Sequence, residues 1–266
     1  MWRSLLLLAL AVPLSAAQNL TSTLGALQGI PVEDEQSGVP PDATLLMSNA
    51  KDALRDLAIA TLQGQPGTAA AIAPQIQNRL EHAAAVADGD VAERFGDIIG
   101  AAVTSPAPNL LAVEYTLNIP CGSDAQLLLF RFDRTWKLVY ERREDGYDSI
   151  AYALGSFEWR ISPPDPQGRF LVLTASISPG CNSNWHTFVY RAEHVDPQGG
   201  APVLIDEGKA PSFGWDYEIS TGVESYSIRF QTRACDDAGF VRDAVLDVRV
   251  ENDRPVRQAE ECDSAR

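Results

Sequence analysis

Beyond Pro108 the apolar and polar side chains of this chain alternate one by one, and such a pattern can bury one face only as a pleated ribbon. Val113, Tyr115, Leu117 and Ile119 alternate with Glu114, Thr116 and Asn118, the two-residue period of a half-buried strand. Leu128, Phe130 and Phe132 continue the pattern. Asp133-Arg134 supplies a tight turn, and Trp136, Leu138 and Tyr140 follow on one face. The same alternation returns at Leu171–Ile177, Phe188–Ala192, Val203–Ile205, Tyr226–Thr232 and Leu246–Val250. Asn252-Asp253 then turns the chain into a short last strand over Pro255–Gln258.

The strands come in groups. Ser156-Phe157-Glu158-Trp159 is echoed by Ser212-Phe213-Gly214-Trp215, and Cys121, Cys181 and Cys235 follow one another at intervals of 60 and 54 residues. Self-similarity at such a period marks propellers and other β arrays. The unit around Cys121 lacks the Ser-Phe-x-Trp opening. Three units fall short of the roughly 4–8 blades of a propeller, and an unclosed sheet leaves edges that need cover. The expected fold is α+β: a short N-terminal helical region packed on a β-rich body of antiparallel meanders, with two or three propeller-blade-like repeats. A β-sandwich is the alternative.

Upstream, Met1-Trp2-Arg3 is a basic start, Leu5–Pro13 an apolar run and Ser15-Ala16-Ala17 a small-residue cleavage site. This reads as a secretory signal peptide over residues 1–17. It is too short for a membrane span, and no later stretch approaches the ~20 apolar residues a span requires. The chain is therefore expected to be exported and soluble, secreted or periplasmic. Residues 18–43, with the acidic cluster Glu33-Asp34-Glu35, read as a flexible lead. A helical region is expected over 44–104. Its first helix carries Leu46, Ala50, Leu54, Leu57 and Leu62, and its second Ile72, Ile76 and Leu80. A third is expected over 91–103, with Phe95, Ile98, Ile99 and Ala102 at helical spacing. The β-rich repeat domain spans 109–258, and 259–266 form a C-terminal tail.

Charge and cysteine content narrow the chemistry. There are 36 Asp and Glu against 21 Lys and Arg, a net charge of −15. Nucleic acid and anionic lipid are bound through Lys and Arg, so neither is an expected partner. In an oxidising compartment Cys121, Cys181, Cys235 and Cys262 favour disulfides over a metal site. The candidate pairing is Cys121 with Cys181 and Cys235 with Cys262, each bridge contributing ~2–4 kcal/mol.

Catalytic signatures are sparse. No Gly-x-Ser-x-Gly elbow, HExxH or phosphate-cradling glycine loop occurs, so no cofactor and no metal is expected. Asp88-Gly89-Asp90 with Glu93 is a fragment of a calcium loop and reads as a turn. His82 falls on the wet side of the second helix. His186 and His194 share a strand face but stand about 27 Å apart, too far for one metal. Asp133-Arg134-Thr135-Trp136 resembles in part the Asp-box turn of sialidase-like propellers. It lacks the glycine of that motif, and neither fold nor function is carried over. Glycoside hydrolysis needs two carboxylates roughly 5–10 Å apart. Glu158 beside Trp159 and Asp216 beside Trp215 are the candidate catalytic pair, although both tryptophans read first as core anchors. The chain is thus expected to be a non-enzymatic binding or interaction module whose partner is a protein or surface glycan. A secreted carbohydrate-active hydrolase is the alternative.

Overall fold

The computed structural model describes residues 3–32, 39–85, 94–120, 122–143, 156–178, 185–214, 216–232 and 241–262, with backbone alone at 3–15, 156, 178, 185 and 259–262. Among the described residues, three helices precede twelve strands arranged as three four-stranded antiparallel sheets. Each sheet is a meander, its strands ordered as they occur in the chain. Two compact units divide the chain, Met1–Ile150 and Ala151–Arg266. The division falls between the first and second sheets, so the first sheet belongs with the helices.

The first unit begins with α1 (Arg3–Gln28), α2 (Pro41–Leu62) and α3 (Ala69–Ala84). Residues 18–28, expected to be part of a flexible lead, are helical. The reason is spacing: Leu20, Leu24 and Leu27 lie one turn apart and are buried, which gives this stretch an apolar stripe. Pro41 opens α2, where its missing N–H costs nothing and its fixed φ suits the first turn. Met47, Ala50, Leu54 and Leu57 form the buried face of α2. Among the described residues, no helix is long and apolar enough to cross a membrane.

The first sheet comprises β1 (Ile98–Ala107), β2 (Leu110–Ile119), β3 (Gly122–Asp133) and β4 (Thr135–Arg143). The expected third helix over 91–103 is corrected here, because residues 98–107 form a strand paired with β2. Its apolar spacing fits a helix, but β2 offers a full backbone partner that an isolated short helix lacks. β1 is an edge strand, which is why it accommodates Pro106. Its register with β2 shifts between Thr104 and Ala107. Gln77 of α3 closes the free edge of β1, its amide nitrogen donating to the Ala101 carbonyl and its Oε1 accepting from Val103 N at 2.5 Å. One side chain thus stands in for a neighbouring strand. The expected turn at Asp133-Arg134 is present, with Arg134 at φ +63°. Residues 86–93, with the calcium-loop fragment, lie outside the described residues.

The second unit holds β5 (Ser156–Ile161), β6 (Phe170–Ser178), β7 (Trp185–Val195) and β8 (Val203–Phe213) as one sheet. β9 (Tyr217–Gly222), β10 (Ser225–Thr232), β11 (Arg242–Glu251) and β12 (Arg254–Cys262) form the other. One core joins them: Leu171, Leu173, Ala175, Ile177, Phe188 and Tyr190 from one sheet meet Ile219, Tyr226, Ile228, Leu246 and Val248 from the other. Ile219 apart, these are the alternate positions legible in the sequence. Phe188 stacks on Phe230 at 4.7 Å and meets Tyr217 edge-on at 5.2 Å, both favourable aromatic geometries. Tyr190 lies across Gly208 of β8 so closely that a Cβ there would stand 2.6 Å from the ring.

The two Ser-Phe-x-Trp phrases are not equivalent in the fold. Ser156-Phe157-Glu158-Trp159 lies in β5, the first strand of its sheet, whereas Ser212-Phe213 ends β8, the last strand of the same sheet. The cysteines keep a matching order in the chain. Cys121, Cys181 and Cys235 each fall between the second and third strands of a sheet. The side chains of these three and of Cys262, and with them the expected bridges, lie outside the described residues.

Candidate functional site

β5 and β9 are each hydrogen-bonded on one side only and form edges of their sheets. Between them lies a groove of about 450 Å³. β5 contributes Glu158 and Arg160, two positions apart and therefore on one face of the strand. They pair with Ala175 and Leu173, both core residues, so the two charges stand on the core-facing side of the sheet at its open margin. β9 and β10 contribute Glu218 and Ser220 opposite Arg229 and Ser227, in register. The period-2 pattern that buries Ile219 and Ile228 therefore leaves this polar row on the other face.

The groove is electrostatically balanced. Arg160 bonds Glu158 at 3.1 Å and donates to the Trp159 carbonyl at 2.8 Å. Both members of the pair remain substantially exposed, Arg160 at 51% and Glu158 at 40%, so the pair orients its side chains more than it stabilises the fold. Glu218 directly opposite Arg229 repeats the complementarity across strands. Ile219 is 5% exposed, and Tyr217 is held by its hydroxyl to the Ala175 carbonyl at 3.2 Å. The lining is consequently mostly polar and rich in both donors and acceptors.

Of the sequence candidates, Glu158 lines the groove. Asp216 is exposed immediately before β9 and is not among the lining residues. Trp215 lies outside the described residues. Glu218, two residues further on, supplies the second carboxylate of the groove, and sequence reading missed it together with Arg160, Ser220, Ser227 and Arg229. The available signal was the polar half of the alternating strands, such as Ser227 and Arg229 beside Tyr226 and Ile228; residues 217–222 were not read as a strand. His82 is exposed, as expected, whereas His186 and His194 are buried.

His194 takes part in a second polar cluster of the same unit. Its Nδ1 meets Asp253 Oδ1 at 2.6 Å, and Arg169 reaches both carboxylate oxygens of Asp253 at 3.0 and 3.1 Å. Arg169 also bonds Asp165 at 2.9 Å. The hydrogen bond from His194, with Arg169, holds the Asp253 carboxyl below its ordinary range. Burial pushes Asp165 upward, but its bonds from Arg169 and Gln167 outweigh this and leave it lowered. The cluster ties the β5–β6 loop and β7 to the β11–β12 turn. Elsewhere in the unit, Asp206 Oδ2 accepts from Tyr226 at 2.6 Å and Tyr190 at 3.1 Å, and burial followed by Asp206 raises the Tyr226 phenol. Among the described residues, no three His, Cys, Asp or Glu side chains gather as a metal site.

No family model matches this chain, and it has no match among curated proteins or solved structures.

Proposed function

We propose that this chain is an exported, soluble, non-enzymatic binding module, and that the groove between β5 and β9 receives its ligand. The observation that carries this reading is the groove itself. It follows two strand edges and presents paired charges and hydroxyls, with its apolar residues committed to the core. Such a surface orients a polar partner and needs no reactive group. The three sheets read as blade-like units of one repeated meander plan, and the basic–apolar–small order of residues 1–17 as an export signal. The partner is a protein or a glycan on a surface, not nucleic acid.

A thermal-shift screen of the full chain against peptides and oligosaccharides tests the groove. A ligand at a hundredfold excess over Kd adds ~2.7 kcal/mol of apparent stability. Hits should stabilise the natural chain and fail to stabilise an Arg160→Ala/Arg229→Ala variant. Equal stabilisation of both would remove the groove from the proposal. N-terminal sequencing of exported protein should begin at Gln18, and recovery of material beginning at Met1 would refute the export signal.

A second reading has one observation in its favour: Glu158 and Glu218 line the same groove, as a glycoside hydrolase with two carboxylates requires. Hydrolysis of a neutral oligosaccharide, abolished by both Glu158→Gln and Glu218→Gln, would replace the binding reading with this one.

A further inference from the structure

We infer that the ligand of the β5–β9 groove is a neutral, hydroxyl-rich carbohydrate chain; this rests on the binding reading above and specifies its chemistry. The argument is one of complementarity. Glu158, Glu218, Arg160 and Arg229 contribute two negative and two positive charges to one lining. A charged ligand would find an opposing charge for every attractive one. The lining carries no basic excess for a phosphate or sulfate and no acidic excess for a cationic peptide.

The apolar alternative fails for a different reason. Ile219 is 5% exposed, and the ring of Tyr217 packs edge-on against Phe188 with its hydroxyl engaged on Ala175. The exposed lining is predominantly polar, so an aliphatic or aromatic ligand would gain less by entering. What remains is a field of fixed donors and acceptors. Each guanidinium presents a planar fork of donors, each carboxylate accepts only, and Ser220 and Ser227 do both. A sugar hydroxyl is itself both donor and acceptor, so neighbouring hydroxyls can bridge an Arg and a Glu at once.

An extended peptide adding to either edge strand is the nearest competitor, and β5 opposes it. Glu158 and Arg160 stand on the core-facing side of that edge, paired with Ala175 and Leu173. Inward-placed charges on a short edge strand are a device that discourages strand addition. The groove runs between two edge strands, which suits a linear polymer more than a monosaccharide.

The test titrates the full chain by calorimetry and amide chemical-shift mapping with four neutral hexasaccharides: cello-, xylo-, malto- and chitohexaose. Oligogalacturonate and a neutral β-forming peptide serve as contrasting probes. At least one neutral hexasaccharide should bind at submillimolar to millimolar concentration, shift the amides of β5, β9 and β10, and lose about tenfold in affinity with either Arg229→Gln or Glu218→Gln. Both residues are exposed, so these variants should fold normally. Glu207→Gln, on the exposed part of β8, should leave binding unchanged. Soluble hexasaccharide against the matching insoluble polysaccharide separates free from surface-bound glycan. If no hexasaccharide binds while the peptide or oligogalacturonate shifts the groove amides, the neutral-carbohydrate inference falls and the groove survives. If no probe moves those amides, both fall. Hexasaccharide binding insensitive to both variants also overturns the inference.

Discussion

Replacing Lys51 tests whether α2 is locked onto the first sheet by a buried charge. Lys51 Nζ lies 2.7 Å from Asp124 Oδ2 of β3, and both side chains are 0% exposed. At an effective dielectric constant of about 20, two unit charges at that distance attract by ~6 kcal/mol. Desolvating each ion costs several kcal/mol, so the intact pair is close to break-even against an apolar pair of similar size. Breaking it is another matter. Lys51→Met removes the charge 2.7 Å from the buried Asp124 carboxylate and should destabilise the first unit by about 3–5 kcal/mol. For a body of this size that lowers Tm by about 10 °C. Asp124→Val should cost a similar amount, because the buried ammonium then loses the carboxylate at 2.7 Å. The double variant Lys51→Met/Asp124→Val removes both charges and should recover most of the loss. Urea unfolding of all four proteins, followed by tryptophan fluorescence, gives the cycle. A loss under ~1 kcal/mol for either single variant, or a double variant as unstable as the two losses added, would refute the reasoning. Gln126 Nε2, which donates to the Lys51 carbonyl at 3.1 Å, remains in every variant and keeps the local backbone docked.

Two further perturbations test the second unit. Gly208→Ala would place a methyl group 2.6–2.9 Å from the Tyr190 ring; the ring must shift, weakening its bond to Asp206, and urea unfolding should show a loss of about 1–3 kcal/mol. An unchanged midpoint would mean the ring is free to move. The Asp253 and Asp165 carboxyls are depressed in the fold, so their contribution is fully present above the ordinary carboxylate pKa of ~3.9 and is lost as pH falls through their lowered values. The urea midpoint should therefore drop on acidification below about pH 4, and drop less steeply in Asp253→Asn; parallel curves for the two proteins would contradict the assignment.

Much of the β architecture could be read from alternation because a strand's burial is periodic at two residues whatever it packs against. Leu171, Leu173, Ala175 and Ile177 announced their shared face, and they share the core. Residues 98–107 could not be read that way. Their apolar spacing satisfies a helix, and only the unpaired edge of β2 decides for a strand. The lead at 18–28 failed for the opposite reason, since three leucines a turn apart were present and unread.

For the site, sequence supplied Glu158, which lines the groove, and Asp216, which is not among its lining residues. Asp216 was attractive because it adjoins a tryptophan, but it precedes β9 and only Glu218, inside the strand, lines the groove. Glu218 and Arg229 come together with Glu158 and Arg160 only because two sheets meet edge by edge, 60 residues apart in the chain. The local pattern of polar and apolar residues thus determined where strands run and which side each buries. Which edges face one another, and hence where a groove opens and what charge it carries, depends on long-range packing that no local period encodes. The same holds for Lys51 and Asp124: each is an ordinary charged residue in its own segment, and only the docking of α2 on β3 makes them a buried pair.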